Sequence, residues 1–136
     1  MKLNAYLIFD GCCEEAFRFY EGLLGGKIKA MMTFDSAPGG EKGPPEWGKK
    51  IMHALLDVDG ERLMGSDAPL SLYAEPRGIS VSVNVRSVAE AERIFAALAE
   101  GGSITMPLQQ TFWAARFGMT TDRFGIPWLI NCDRDA

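Results

Sequence analysis

The sequence of 136 residues is short of the side chains that most often hold metals or staple small folds. It has one histidine, His53, and three cysteines, of which Cys12 and Cys13 are adjacent. An odd count so spaced makes no disulfide framework and suits a reducing compartment. Basic residues are also few, 14 against 18 acidic, for a net charge of -4. No Lys or Arg cluster forms the stripe that a phosphate backbone needs, so nucleic acid is not expected as a partner. A neutral or cationic small molecule suits the charge better. Long apolar runs are missing too. MKLNAYLIFDG holds too few apolar residues before Asp10 for a signal-peptide core, and no run is long enough to span a bilayer. The expectation is a soluble, cytoplasmic protein with no membrane partner.

What is present is ordinary globular composition, 47% hydrophobic and 24% charged, in a chain long enough to bury a core unaided. It contains a repeat. Residues 15–28, EAFRFYEGLLGGKI, match residues 90–104, EAERIFAALAEGGSI, with Glu15-Ala16 on Glu90-Ala91, Tyr20 on Phe95 and Leu23 on Leu98. Each copy has helical spacing and ends in Gly-Gly. The first stripe is Ala16, Phe19, Tyr20 and Leu23, with Glu14 and Glu15 in the first turn where the helix dipole favours acids. The second is Val88, Ala91, Ile94, Phe95 and Leu98, started by the capping box Ser87-Val-Ala-Glu90.

Strands flank both helices. Leu3, Leu7 and Phe9 fall on one face of the first, with Asn4, Tyr6 and Ile8 on the other. Strands follow near Lys27–Thr33, Ile51–Val58 and Arg62–Ser66, the last two joined by Asp59-Gly60, a strong hairpin signal. In the second half Ile79, Val81, Val83 and Val85 alternate with Ser80, Ser82 and Asn84, and a short strand spans Ser103 to Met106. The stretch TFWAARFGMTTDRFGIPWLINC, Thr111 to Cys132, closes the chain as a hairpin around an Asp122-Arg-Phe-Gly125 turn. It holds two of the three tryptophans and is expected to wall a pocket. The chain is thus one α+β domain, 1–136, of two tandem βαβββ modules at about 1–70 and 78–136. Residues 34–48, FDSAPGGEKGPPEWG, form a long Gly- and Pro-rich connection, either a surface loop or a lid carrying Trp47.

In YLIFDGCCEEAFRFY, MHALLDVDGERLMGSD and the closing hairpin the chain resembles the PhnB-like branch, often labelled 3-demethylubiquinone methyltransferase-like, of the glyoxalase, bleomycin resistance and dioxygenase (vicinal-oxygen-chelate) superfamily. With the second helix, these stretches cover nearly the whole chain. The resemblance implies two modules whose sheets form an open barrel-like cleft, commonly within a homodimer. It also implies His or Glu side chains that hold a divalent metal, which chelates substrate oxygens. Carried onto this sequence, the last-strand glutamate falls on Leu129. The first-strand histidine falls at or beside Asn4, its second-module partner near Ser80, and a fourth ligand around Met64. None is a good metal ligand, so no standard metal site is expected. The methyltransferase label finds no glycine-rich turn between strand and helix to hold a methyl-donor nucleotide.

His53 is the side chain most able to do chemistry, as a general base or as the one strong ligand of a weakly held divalent metal; otherwise it is a hydrogen-bonded residue within a sheet. Asp67 either orients it or caps a turn. Asp122 is expected to bond its own turn. Trp113 and Trp128 are core residues or aromatic pocket walls. Ser80, Ser82 and Asn84 are polar pocket groups or solvent-exposed. Cys12 and Cys13 start a helix, where dipoles can lower a thiol pKa, although a nucleophile would need a base beside it. The ligand-binding set is Asn4, Tyr6, His53, Ser82, Trp113 and Leu129. The leading expectation is a protein that binds a small organic ligand without a metal triad, for which bleomycin resistance proteins give the family precedent. The alternative is an isomerase, lyase or metal-assisted enzyme using His53.

Overall fold

Each helix forms where an apolar stripe recurs at helical spacing. α1 (Cys13–Leu24) buries Cys13, Ala16, Phe17 and Tyr20, and α2 (Val88–Ala99) buries Ala91, Ile94, Phe95 and Leu98. Removing side chains such as Ile94, Phe95 and Leu98 from water is worth about 1.5–3 kcal/mol each. In α1 the buried face is turned slightly from the predicted one, with Phe17 at 0% exposure while Phe19 is only half-buried. Ser87 caps α2 by accepting from the Glu90 backbone N–H at 3.1 Å. α1 ends at Gly25 in the left-handed conformation, at φ 74°.

The second glycine of each Gly-Gly pair is required by close approach. A Cβ on Gly26 would lie 2.6 Å from the Asp57 carbonyl oxygen, and one on Gly102 would run into the backbone of Thr121. The repeat therefore preserves two crossings in which the chain leaves a helix against a neighbouring strand.

The computed structural model describes residues 1–36, 45–69 and 71–134, which form two units, Met1–Ala74 and Glu75–Ala136. In the first, β1 (Ala5–Phe9), β2 (Lys27–Thr33), β3 (Ile51–Val58) and β4 (Glu61–Asp67) make a sheet of order β1-β4-β3-β2. In the second, β5 (Val81–Val85), β6 (Ser103–Gln109), β7 (Ala114–Thr121) and β8 (Pro127–Asp133) make a sheet of order β5-β8-β7-β6. The first strand of each unit pairs in parallel with the last, and the other pairings are antiparallel. Each unit is therefore βαβββ, and neither sheet closes into a barrel.

The turn between β3 and β4 has φ 52° at Asp59 and 87° at Gly60, the two positive values that a tight primed hairpin turn requires. Strand boundaries differ from the sequence reading at several ends, and β4 extends one residue beyond the expected Arg62–Ser66 on each side. β1 begins at Ala5, leaving Leu3 90% exposed, and β5 begins at Val81, leaving Ile79 73% exposed, because neither outer residue lies under a helix. β6 runs on to Gln109, three residues beyond the expected Met106. Of the long connection, Phe34–Ser36 and Pro45–Trp47 are single 3₁₀ turns; residues 37–44, which a lid would need, lie outside the described residues.

Candidate functional site

In each unit the helix covers one sheet face and leaves the other open. In the first unit Gly65 lies beneath Phe17, where an added Cβ would come within 2.8 Å of the ring, so Leu7, Phe9, Leu63 and Gly65 face α1. Residues of the other parity face away. The register aligns Tyr6 with Met64, Met64 with Leu55, and Met32 with His53. On this open face the Tyr6 hydroxyl lies 3.1 Å from His53 Nδ1, and the two rings stack at 5.8 Å between centroids. Tyr6 remains 45% exposed. Two of the predicted ligand-binding residues, 47 positions apart in sequence, are thus brought together as a hydrogen-bonded aromatic pair on the edge strand β1 and the inner strand β3. Asn4 stands one residue before β1 and is exposed.

Asp67 does neither task proposed for it. It is 4% exposed, and its Oδ1 accepts from the backbone N–H groups of Gly11 and Cys13 at 3.0 Å each, while Oδ2 accepts from Ile51 N–H at 2.9 Å. A buried carboxylate with three charge-assisted bonds to backbone is a structural clamp. It ties the start of α1 to the start of β3 and is not bonded to His53. The nearby thiols are not activated by the helix start. Burial first, then the carboxylates of Asp10 and Asp67, push Cys12 up to about 11. Burial and Asp67 also push Cys13 up. Trp47 is half-buried, with the Lys50 ammonium 6.0 Å from its ring, and Lys50 donates to the Gly11 carbonyl at 2.9 Å.

In the second unit Gly118 lies under Phe95, so Gly118, Thr120, Trp128, Ile130 and Cys132 face α2. Trp128 is 1% exposed, a core residue and not a pocket wall. Its indole N–H donates to Asp122 Oδ2 at 2.8 Å, and Asp122 Oδ1 accepts from Phe124 N–H and Ile126 N–H, which locks the closing turn as expected of that aspartate. The open face carries Ser82 opposite Leu129, Leu129 opposite Met119, Asn84 opposite Asn131, and Asn131 opposite Phe117. Trp113, just before β7 and 50% exposed, meets Phe117 edge-on at 5.5 Å and Phe112 at 4.8 Å. Ser80 precedes β5. Ser82, Leu129 and Trp113 thus belong to one open surface with polar and aromatic parts.

The sequence reading missed Asn131 and Asp133 on that surface. Asn131 donates to Asn84 Oδ1 at 3.2 Å and to Asp133 Oδ1 at 3.1 Å. The period-2 alternation Leu129, Asn131, Asp133 was the available signal; the partner across the sheet, Asn84, was visible only through register.

A divalent metal needs convergent N, O or S ligands. Asn4, Met64, Ser80 and Leu129 supply an amide, a thioether, a hydroxyl and an alkyl group. Among the described residues no group of three or more His, Cys, Asp or Glu side chains is placed to hold an ion. The side chains present do not fit the metal triad that the resemblance implies. No helix among the described residues is long and apolar enough to cross a membrane.

Comparisons with known proteins agree with this architecture. The chain is 37% identical over 139 aligned residues to protein YjdN of Escherichia coli strain K12, covering 96% of this chain and 95% of that one. Among solved structures it is similar to protein PA1353 from Pseudomonas aeruginosa, with 51% identity, 98% of both chains covered and a TM-score of 0.89. It is also similar to the PhnB protein from Bacillus cereus, with 25% identity, 97% of this chain and 99% of that one covered, and a TM-score of 0.82. Residues 2–130 match a family as well as a fold, and the chain belongs to the Glyoxalase/Bleomycin resistance protein/Dioxygenase superfamily.

Proposed function

We propose that this chain binds a small organic molecule on its open sheet faces and does so without a metal triad. The observation that carries the reading is the Tyr6–His53 pair. A 45% exposed phenol bonded at 3.1 Å to the only imidazole, on a face with Met32, Met64 and Leu55, combines apolar surface with few polar groups. That is the composition organic ligands select. The contact admits either direction; in the binding reading the Tyr6 hydroxyl donates to Nδ1, which puts the ring proton on Nε2 as a donor to a ligand. Asn4 in the first unit, and Ser82, Leu129 and Trp113 in the second, are the other residues assigned to ligand contact. The chain is further assigned to a cytoplasmic homodimer.

The test is isolation without chelators, followed by metal analysis and native mass spectrometry. The reading expects substoichiometric metal and, where a mass adduct is retained, an organic one that His53→Ala weakens. One tightly bound divalent ion per chain would contradict it. A second reading, a metal-free isomerase or lyase with His53 as general base, takes the opposite direction of the same 3.1 Å contact: Nδ1–H donates to the Tyr6 oxygen, and Nε2 keeps the lone pair that accepts a substrate proton. It requires a substrate whose turnover His53→Ala abolishes while the fold survives; loss of stability alone would leave only the binding reading.

A further inference from the structure

The open face of the second unit carries a row of hydrogen bonds whose direction is set at one end. The Asp133 carboxylate offers only acceptors, so Asn131 must turn its amide nitrogen toward it, at 3.1 Å. The same nitrogen donates its other proton to Asn84 Oδ1 at 3.2 Å. With its oxygen so engaged, Asn84 must place its own nitrogen on the far side, where Ser82 Oγ lies at 3.4 Å, the longest link of the row. Each amide could be turned over in isolation. The carboxylate removes that freedom for both. Asn84 and Ser82 are both exposed; one of the two Asn84 amide protons and the Ser82 hydroxyl proton are not used by this row. Directly across from Ser82 lies Leu129, and beyond it Met119.

From this geometry we infer that Asp133, through Asn131 and Asn84, fixes this face as a hydrogen-bond donor surface beside an apolar one. It selects a ligand with a neutral oxygen acceptor, such as a ketone or amide carbonyl, whose apolar body lies on Leu129 and Met119. The N–H and O–H that the row leaves unused complement the partial negative charge of that oxygen. The inference rests on the small-molecule reading above and adds the ligand class. Asp133 is a positioning residue: it touches Asn131 and not the ligand.

Two probes of one shape separate the claims. Acetophenone carries the carbonyl, and α-methylstyrene replaces that oxygen with a methylene group. Titrations followed by side-chain and backbone amide NMR should show acetophenone shifting the Asn84 and Asn131 amides of the native protein. It should bind about fivefold tighter than α-methylstyrene, the ratio expected for one net hydrogen bond. Asp133→Asn keeps the shape of the end residue but lets the row reverse, so the preference should shrink to about twofold or less, with the backbone spectrum preserved. Equal binding of both probes at Leu129 and Met119 in the native protein would overturn the donor-surface inference while leaving small-molecule binding intact. An unchanged preference in Asp133→Asn would remove Asp133 from its role. If neither probe shifts an open-face residue of either unit, the inference and the binding reading fall together.

Discussion

Asp67 links the core to the candidate site, and its removal should have graded consequences. It sits on β4, between the strands that carry Tyr6 and His53, and accepts from Gly11, Cys13 and Ile51 while 4% exposed. Asp67→Ala would strand all three donors. Each orphaned buried donor costs about 1–3 kcal/mol, and with partial hydration of the exposed side of the turn the total should be about 4 kcal/mol. Asp67→Asn is milder. Its oxygen can still serve Gly11 and Cys13, but its amide nitrogen then confronts the Ile51 N–H, for a loss of about 2 kcal/mol. With a urea slope of about 2 kcal/mol per molar, the unfolding midpoints should fall by about 2 M and about 1 M. Hydrogen exchange should locate the damage. Alanine should deprotect the amides of Gly11, Cys13 and Ile51, asparagine only that of Ile51. Equal stability of the two variants, or either within about 0.5 kcal/mol of the native protein, would refute the clamp.

Other outcomes follow from the same structure. In Gly118→Ala the new methyl would lie 2.8 Å from Leu108 Cα and 2.9 Å from the Phe95 ring. This should cost about 1–3 kcal/mol in urea unfolding, with the damage at the contacts of β7 with the β6 backbone and with α2. Because Cys12 is pushed up to about 11 from an ordinary 9.0, the folded chain holds that proton more tightly than the unfolded one. The associated stability is present below pH 9 and lost as pH rises from about 9 toward 11. Site-resolved alkylation should accordingly show Cys12 reacting with iodoacetamide at pH 8 more slowly in the folded protein than in urea. Tyr6→Phe should free His53 Nδ1, so that the ¹⁵N shifts of the imidazole move toward a mixture of tautomers while the fold remains unchanged.

The repeat, both helices and the Asp59-Gly60 hairpin were legible because they depend on local spacing and turn chemistry. Side-chain destinations were not. Trp113 and Trp128 look alike in the sequence, yet strand parity puts Trp128 beneath α2 and leaves Trp113 at the open edge beside Phe117. Asp67 resembles a turn cap, but two of its three donors lie 54 and 56 residues away, and only the folded chain brings them to it. His53 stood out by being alone. Its partner Tyr6 was placed on the correct face of β1, although nothing local indicated the bond between them. The Asn84–Asn131 pair depends on the parallel register of β5 and β8, which alternation cannot supply. The family pattern was useful in a negative sense: where it expects a carboxylate, Leu129 has an alkyl group, and where it expects an imidazole, Asn4 has only an amide.

The most direct test of the central claim is a chemical-shift map of the native protein against a library of soluble, uncharged aromatic fragments. The account predicts that shifts concentrate on Tyr6, His53, Ser82, Trp113 and Leu129 while helix residues such as Glu92 and Arg93 stay still. Shifts scattered over the helices, or confined to residues beneath them, would contradict it.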